Sequence, residues 1–175
     1  REKSSAQLGP AVRQVADFTV WRQAADIAAV FRQLFDGEQS AILAGSSLGA
    51  SAILEALKHD QLTPKAAFLI GPNARFRFPL WGKAIIRCPA AIYHPAKYVI
   101  IWYLRHFRVN SKQEPEQIKR YETTLLEADP LRIKRSAQGV ERYFVWPDLE
   151  TISTPLAIAH SCSDKLHEAD DIARL

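Results

Sequence analysis

The stretch Ala41-Ile42-Leu43-Ala44-Gly45-Ser46-Ser47-Leu48-Gly49-Ala50-Ser51-Ala52-Ile53-Leu54-Glu55-Ala56-Leu57-Lys58 decides how this chain is read. A short apolar run, Ala41 to Ala44, enters a turn of glycines and serines. A helical pattern anchored by Ile53, Leu54 and Leu57 then runs from Ala50 to Lys58. The turn itself, Gly45-Ser46-Ser47-Leu48-Gly49, fits G-x-S-x-G. On its own such a pentapeptide describes an ordinary loop. Between a strand and a helix it describes a sharp turn that holds the middle serine in a strained backbone conformation, its Oγ above the sheet edge. Gly45 and Gly49 are expected to remove Cβ atoms that would clash where strand and helix pack closely. The start of the helix brings the Leu48 backbone N–H to an oxygen that would gain negative charge during attack by Ser47.

Outward from this turn, Ala66 to Ile70 reads as a second strand closed by Gly71-Pro72. Strand, helix and strand then fall within about 30 residues, the length of one βαβ unit with a parallel pair. Upstream, residues Arg1 to Asp17 show no clear period and carry the loop pair Gly9-Pro10. Thr19 is placed to cap a helix from Val20 to Phe35, whose apolar positions Val20, Ala24, Ile27, Ala28, Phe31, Leu34 and Phe35 follow helical spacing, with Asp36-Gly37 ending it. Downstream, from Asn73 to about Asp148, the chain becomes helical, basic and aromatic. Pro95 and Pro115 suit the first turns of helices over Ala96–Phe107 and Glu116–Glu127, and a further helix is expected over Leu131–Tyr143. Pro155 leads into a third strand, Leu156 to His160, followed by Ser161-Cys162-Ser163-Asp164 and an amphipathic piece from Glu168 to Leu175. The class is α/β, with a helical insertion between the second and third strands.

The bulk values exclude several classes. At 175 residues, with 47% hydrophobic and 24% charged, the chain is neither disordered nor a fibrous repeat, and its 7 Gly and 10 Pro are spread rather than blocked. No run approaches the roughly 18–20 apolar residues that span a bilayer. Tyr98 to Leu104 is too short and is bracketed by Lys97 and Arg105. Net charge is +4, but Asn73 to Arg120 holds ten Lys or Arg against two acids, so the remainder is net acidic. Cys88 and Cys162 have neither metal-ligand spacing nor a CxxC context; two thiols in a cytoplasmic protein is the preferred reading, with a disulfide left open. There is no Met and position 1 is Arg, so the chain reads as processed or as a piece of something longer.

These residues together resemble the α/β-hydrolase family, and the resemblance extends over nearly the whole chain. Gly45 to Gly49 is similar to the family's nucleophile elbow, with Ser47 as nucleophile. The helix carrying Ala24-Ala25-Asp26-Ile27 is similar to the one that precedes the elbow strand, where Asp26 reads as structural or solvated. Ile152-Ser153-Thr154-Pro155-Leu156-Ala157-Ile158-Ala159-His160 resembles the late strand, entered through a Pro and leading to a Gly-x-x-Asp turn. Here Ser161 replaces the Gly and Asp164 stands at the acid. The resemblance thus implies Asp164 as the catalytic acid, the plain alternative being a turn Asp that bonds its own backbone. The rival acid position, Gly71-Pro72-Asn73-Ala74-Arg75, offers no carboxylate. The basic helical stretch sits where the family carries its cap. The implied organisation is a partial hydrolase core over 1–72, a cap over 73–148 and a return to the core over 149–175.

Two parts of the family pattern are not matched. The base histidine of the family follows one strand beyond the acid, and His59, His94, His106, His160 and His167 do not occupy that place. The His-Gly loop that supplies a second oxyanion donor has no counterpart before the elbow. The resemblance therefore implies a partial α/β-hydrolase fold truncated at both ends: central parallel strands, flanking helices and a helical cap, with one flank of the first strand lacking a partner. The activity it implies is that of a serine hydrolase acting on an ester, thioester or similar acyl bond through an acyl-enzyme on Ser47. The base would lie outside these residues, so that the chain alone is inactive. A serine at the elbow argues against haloalkane dehalogenase and epoxide hydrolase chemistry. Cap aromatics such as Trp81, Tyr98 and Trp102 could line an acyl pocket, and the surrounding Arg and Lys could make weak contact with a membrane surface. The plainer reading makes the aromatics cap core and the cations its solvated face. No metal, cofactor or nucleic-acid partner is expected. The alternative function is a non-catalytic hydrolase-fold protein that binds a small apolar ligand under the cap.

Overall fold

The computed structural model describes residues 14–35, 41–109, 115–161 and 169–175. They divide into two compact units: one takes in 14–18, 77–109 and 115–141, the other 19–35, 41–76, 142–161 and 169–175.

The second of these carries the sheet. Thr19 Oγ1 accepts the Arg22 N–H at 3.2 Å, which caps α1 (Val20–Phe35) at its N-terminus. The buried residues Val20, Ala24, Ala28 and Phe31 form one stripe of α1, and it packs on α2 (Leu48–Lys58). Ala24 and Ala28 of α1 and Ala50, Ala52 and Ala56 of α2 are all buried. Arg22 and Asp26 pair at 3.3 Å along the outside of α1, so the Asp26 carboxylate serves that helix. The strands β1 (Ile42–Ser46), β2 (Ala66–Ile70) and β3 (Leu156–Ala159) form a parallel sheet in the order β1-β2-β3, with Ser46 in register with Ile70 and Ile70 with Ala159. All three C-terminal ends therefore share one edge.

The sequence reads β1 and β2 as buried runs. Among the described residues only one face is covered: Ala67 and Leu69 are buried, whereas Ile42, Phe68 and Ile70, which alternate with the covered positions, are 66%, 41% and 46% exposed. A continuous apolar run fits either arrangement.

A buried polar cluster fixes the segment that follows residue 141. Lys58 Nζ lies 2.6 Å from Glu55 Oε1 and donates to the Val145 carbonyl at 2.9 Å. The Tyr143 hydroxyl donates to Glu55 Oε1 at 3.0 Å, and Thr151 Oγ1 donates to the Lys58 carbonyl at 3.0 Å. Burial, and then the Glu55 carboxylate, push the Tyr143 phenol well above its ordinary pKa. The charges are thus paired and their remaining valences met by backbone and phenol.

The other unit is helical: a 3-10 turn Val15–Phe18, then α3 (Leu80–Arg87), α4 (Tyr93–Tyr103), α5 (Pro115–Glu127) and α6 (Pro130–Val140). Helix α4 starts at Tyr93, three residues earlier than the pattern suggests. Pro95 still falls in its first turn, where the missing N–H costs nothing. Leu104–Arg108 continues it as a π-helical turn. Helix α6 opens on Asp129, whose Oδ1 accepts the Arg132 N–H at 3.0 Å with Pro130 behind it, and ends at Val140 rather than Tyr143. Tyr143 is instead drawn to Glu55. The buried Lys97 ammonium donates to the Leu126 carbonyl at 3.2 Å and the Ala128 carbonyl at 2.5 Å, satisfying the C-terminal end of α5. No helix among the described residues is long and apolar enough to cross a membrane. The expected Asp36-Gly37 helix stop and the Gly9-Pro10 loop lie outside the described residues.

Candidate functional site

The edge formed by the C-terminal ends of the three strands gathers the chemistry of the second unit, as open parallel sheets commonly do. Ser47 follows β1 directly and has φ 50° and ψ −119°, a backbone conformation that L residues rarely adopt. The Ser47 N–H donates to the Ile70 carbonyl at 2.9 Å, prolonging the β1–β2 ladder up to the serine, and the Ser47 carbonyl accepts the first bond of α2 from Ser51 at 3.0 Å. The whole reversal from strand to helix is thus made in one residue.

Its tightness has a steric cause. A Cβ on Gly45 would stand 2.6 Å from Ile53 Cδ1, 3.0 Å from the Ala50 nitrogen and 3.1 Å from the Ala50 Cα. Strand and helix touch backbone to backbone at that point. The expected clash at Gly49 is absent: a Cβ there meets nothing within 4 Å among the described residues. Gly49 sits in the first turn of α2, on a side where the helix makes no close approach.

Ser47 occupies the position before α2 where a serine ordinarily accepts a bond from the second or third helical N–H, yet it makes no side-chain cap bond. Its Oγ instead accepts the Asn73 Nδ2–H at 3.1 Å. The N–H of Leu48 begins α2 and has no acceptor within the helix. It lies at the positive end of the dipole of this 11-residue helix, in which Ala50 to Lys58 are all buried.

Asn73 is itself held on every side. Gly71, at φ 51°, turns the chain after β2 and its N–H donates to the Ala159 carbonyl at 2.8 Å. The Asn73 N–H donates to Ser51 Oγ at 2.8 Å, and Ser51 Oγ lies 3.1 Å from the Asn73 carbonyl and 3.2 Å from the Ser47 carbonyl, the acceptors of its own proton. The Val145 N–H donates to the Ala74 carbonyl at 2.8 Å. Arg75 makes a two-pronged ion pair with the buried Asp171 of α7 (Ala169–Ala173), at 2.9 and 3.0 Å. In the sequence Asn73 does not stand out, because the acid position calls for a carboxylate. The available signal was a polar side chain just beyond the C-terminal end of a strand adjacent to the serine's.

The other expected site residues fall as follows. Asp164, His167 and Cys162 lie outside the described residues. Cys88 is a free thiol. His59 is at the far end of α2 from Ser47, 3.7 Å from Glu55 Oε2. His160 follows β3 at the same edge as Ser47 but two strands away, about 10 Å at ordinary strand spacing. Trp81, Tyr98 and Trp102 belong to the helical unit. Trp81 packs edge-on against Tyr103 with ring centroids 5.2 Å apart. Tyr98 and Trp102 line a groove of about 300 Å³ with Ile101, Arg105, His106 and Leu126. Arg105 is paired with Glu122 across it. No group of three metal-ligating side chains occurs among the described residues.

No protein-family model matches the chain, and no curated protein sequence matches it. Solved structures do. A hydrolase from Oleispira antarctica superposes with a TM-score of 0.69 at 18% identity, over 95% of this chain and 62% of that one. A thermophilic esterase from Thermogutta terrifontis gives 0.68 at 18% identity, over 89% and 58%. An α/β hydrolase from a Medee basin deep-sea metagenome library gives 0.63 at 19% identity, over 90% and 59%. The chain spans about three fifths of the length of these structures. Three parallel strands with flanking helices, matched this way, are a partial α/β-hydrolase fold.

Proposed function

We propose that this protein is a serine hydrolase that cleaves an ester, thioester or similar acyl bond through an acyl-enzyme on Ser47. The observation that carries this reading is the backbone of Ser47: φ 50° between a parallel strand and a buried helix, with the hydroxyl making no cap bond. A Gly/Ser turn without chemical purpose would relax to a capped, negative-φ serine, since positive φ costs about 1–3 kcal/mol in a non-glycine residue. Support also comes from Gly45, whose missing Cβ permits the turn, and from the fold shared with hydrolases and an esterase.

In this reading Ser47 Oγ attacks the acyl carbon and its proton passes to a histidine outside the described residues. Asp164 orients that histidine, and the Leu48 N–H stabilises the oxyanion. The stretch between β2 and β3 acts as the cap, and the substrate is a small acyl compound rather than a nucleic acid. The test is hydrolysis of p-nitrophenyl acetate and butyrate by the protein expressed from its complete coding sequence. Ser47→Ala is expected to lower kcat/KM at least about 10³-fold. Unchanged hydrolysis in Ser47→Ala would refute the assignment.

A further inference from the structure

We infer that Asn73 is a catalytic residue that speeds breakdown of the acyl-enzyme by donating a hydrogen bond to Ser47 Oγ; this rests on the reading of Ser47 as the nucleophile. The Asn73 amide is the donor in its 3.1 Å contact, so the bond occupies an oxygen lone pair and does not consume the hydroxyl proton that attack must release. Asn73 contacts the reacting atom without competing with the base.

The effect of such a donor differs between the two half-reactions. In the free enzyme Oγ is a hydroxyl oxygen and already a good acceptor, so the bond strengthens only modestly as Ser47 attacks. In the acyl-enzyme Oγ is the alkyl oxygen of an ester and a poor acceptor. Water adds to the acyl carbon as its proton passes to the base; when the tetrahedral intermediate collapses, the C–Oγ bond breaks and its electron pair returns to Oγ. Oγ then recovers a proton from the protonated base. The Asn73 N–H meets that returning charge, so the gain from ground state to transition state is larger in deacylation.

The donor is also held in place beforehand. Ser51, fully buried, bonds both the N–H and the carbonyl of Asn73 and reaches the Ser47 carbonyl. Gly71 fastens the preceding residue pair to β3, Val145 bonds Ala74, and Arg75 is clamped by Asp171. These contacts use the Asn73 backbone and its neighbours, not its carboxamide, so changing the side chain leaves the loop anchored.

The experiment is stopped-flow hydrolysis of p-nitrophenyl acetate by the protein from its complete coding sequence, with mass spectrometry of the quenched reaction to identify acetyl-Ser47. Asn73→Ala and Asn73→Asp are compared with the wild type, each checked by thermal unfolding. Aspartate keeps the shape of asparagine but presents a carboxylate that cannot donate and repels charge on Oγ, so a purely structural role would survive it. Both variants are expected to slow the steady-state phase about tenfold, the value of one neutral hydrogen bond. The burst rate should fall less and acetyl-Ser47 should accumulate. Wild-type deacylation rates in both variants, or equal loss of both phases, would overturn the assignment while leaving acetylated Ser47 in the wild type. No acetyl-Ser47 in the wild type would instead remove the nucleophile reading, and this inference with it.

Discussion

Gly45 lies against the backbone of Ala50 so closely that a methyl group on it would stand 3.0 Å from the Ala50 nitrogen and 3.1 Å from its Cα. The elbow is therefore built from backbone contact between β1 and α2, and only one of its two glycines is required for it. Gly45→Ala is expected to destabilise the protein by about 1–3 kcal/mol, the usual cost of overpacking. Gly49→Ala, with open space around it, should be neutral or gain about 0.5–1 kcal/mol by removing a helical glycine. Urea unfolding of the two variants measures both, and equal losses would contradict the steric account.

A similar contact operates in the helical unit. A Cβ on Gly139 in α6 would lie 2.8 Å from the carbonyl carbon of Phe18 and 2.9 Å from its oxygen. Alanine would gain about 1 kcal/mol in helix propensity. The clash is with backbone and should outweigh that, so Gly139→Ala is expected to lower Tm despite the better helix former.

Much of this was legible in order along the chain. The β1–turn–α2 unit was readable because a glycine-rich turn separates two distinct apolar patterns, and α1 because Thr19 caps it. Helix α3 is not legible: it has only eight residues, and its glycine, lysine and arginine break the apolar period. The buried Glu55 and Lys58 find their partners in Tyr143 and Val145, 88 and 87 residues away in the chain, which no local pattern reveals. Asn73 acquires its meaning only when β2 pairs with β1 and brings it to Ser47.

That buried cluster makes a mutational prediction. Lys58→Met would leave the Glu55 carboxylate without its cation at a site where both side chains are almost fully buried, at a cost of about 3–5 kcal/mol. Adding Glu55→Gln should recover part of the loss, because removing both charges is cheaper than stranding one. A double-mutant cycle by urea unfolding reads the coupling, and additive losses would contradict it.

Alkaline pH tests the two buried tyrosines. Burial, with the Cys88 thiol as a lesser cause, pushes Tyr93 up to about 12, and Tyr143 is raised further by burial and Glu55. The unfolded phenols ionise near 10, so their contribution is complete below about pH 10. It declines by up to about 1.4 kcal/mol per pH unit per phenol as pH rises, for Tyr93 until about 12. Tm should thus fall from about pH 10 upward, and less steeply in Tyr143→Phe. At neutral pH, Tyr93→Phe should gain about 1 kcal/mol, since the Tyr93 hydroxyl is buried without a hydrogen-bond partner among the described residues.

The proposed role of the strained Ser47 as nucleophile is open to direct test. Its most direct measurement is labelling of the protein from its complete coding sequence with a fluorophosphonate probe, followed by peptide mass spectrometry. One adduct per molecule is expected, on Ser47, and is expected to be lost in Ser47→Ala. An adduct on another residue, or labelling that persists in Ser47→Ala, would contradict it.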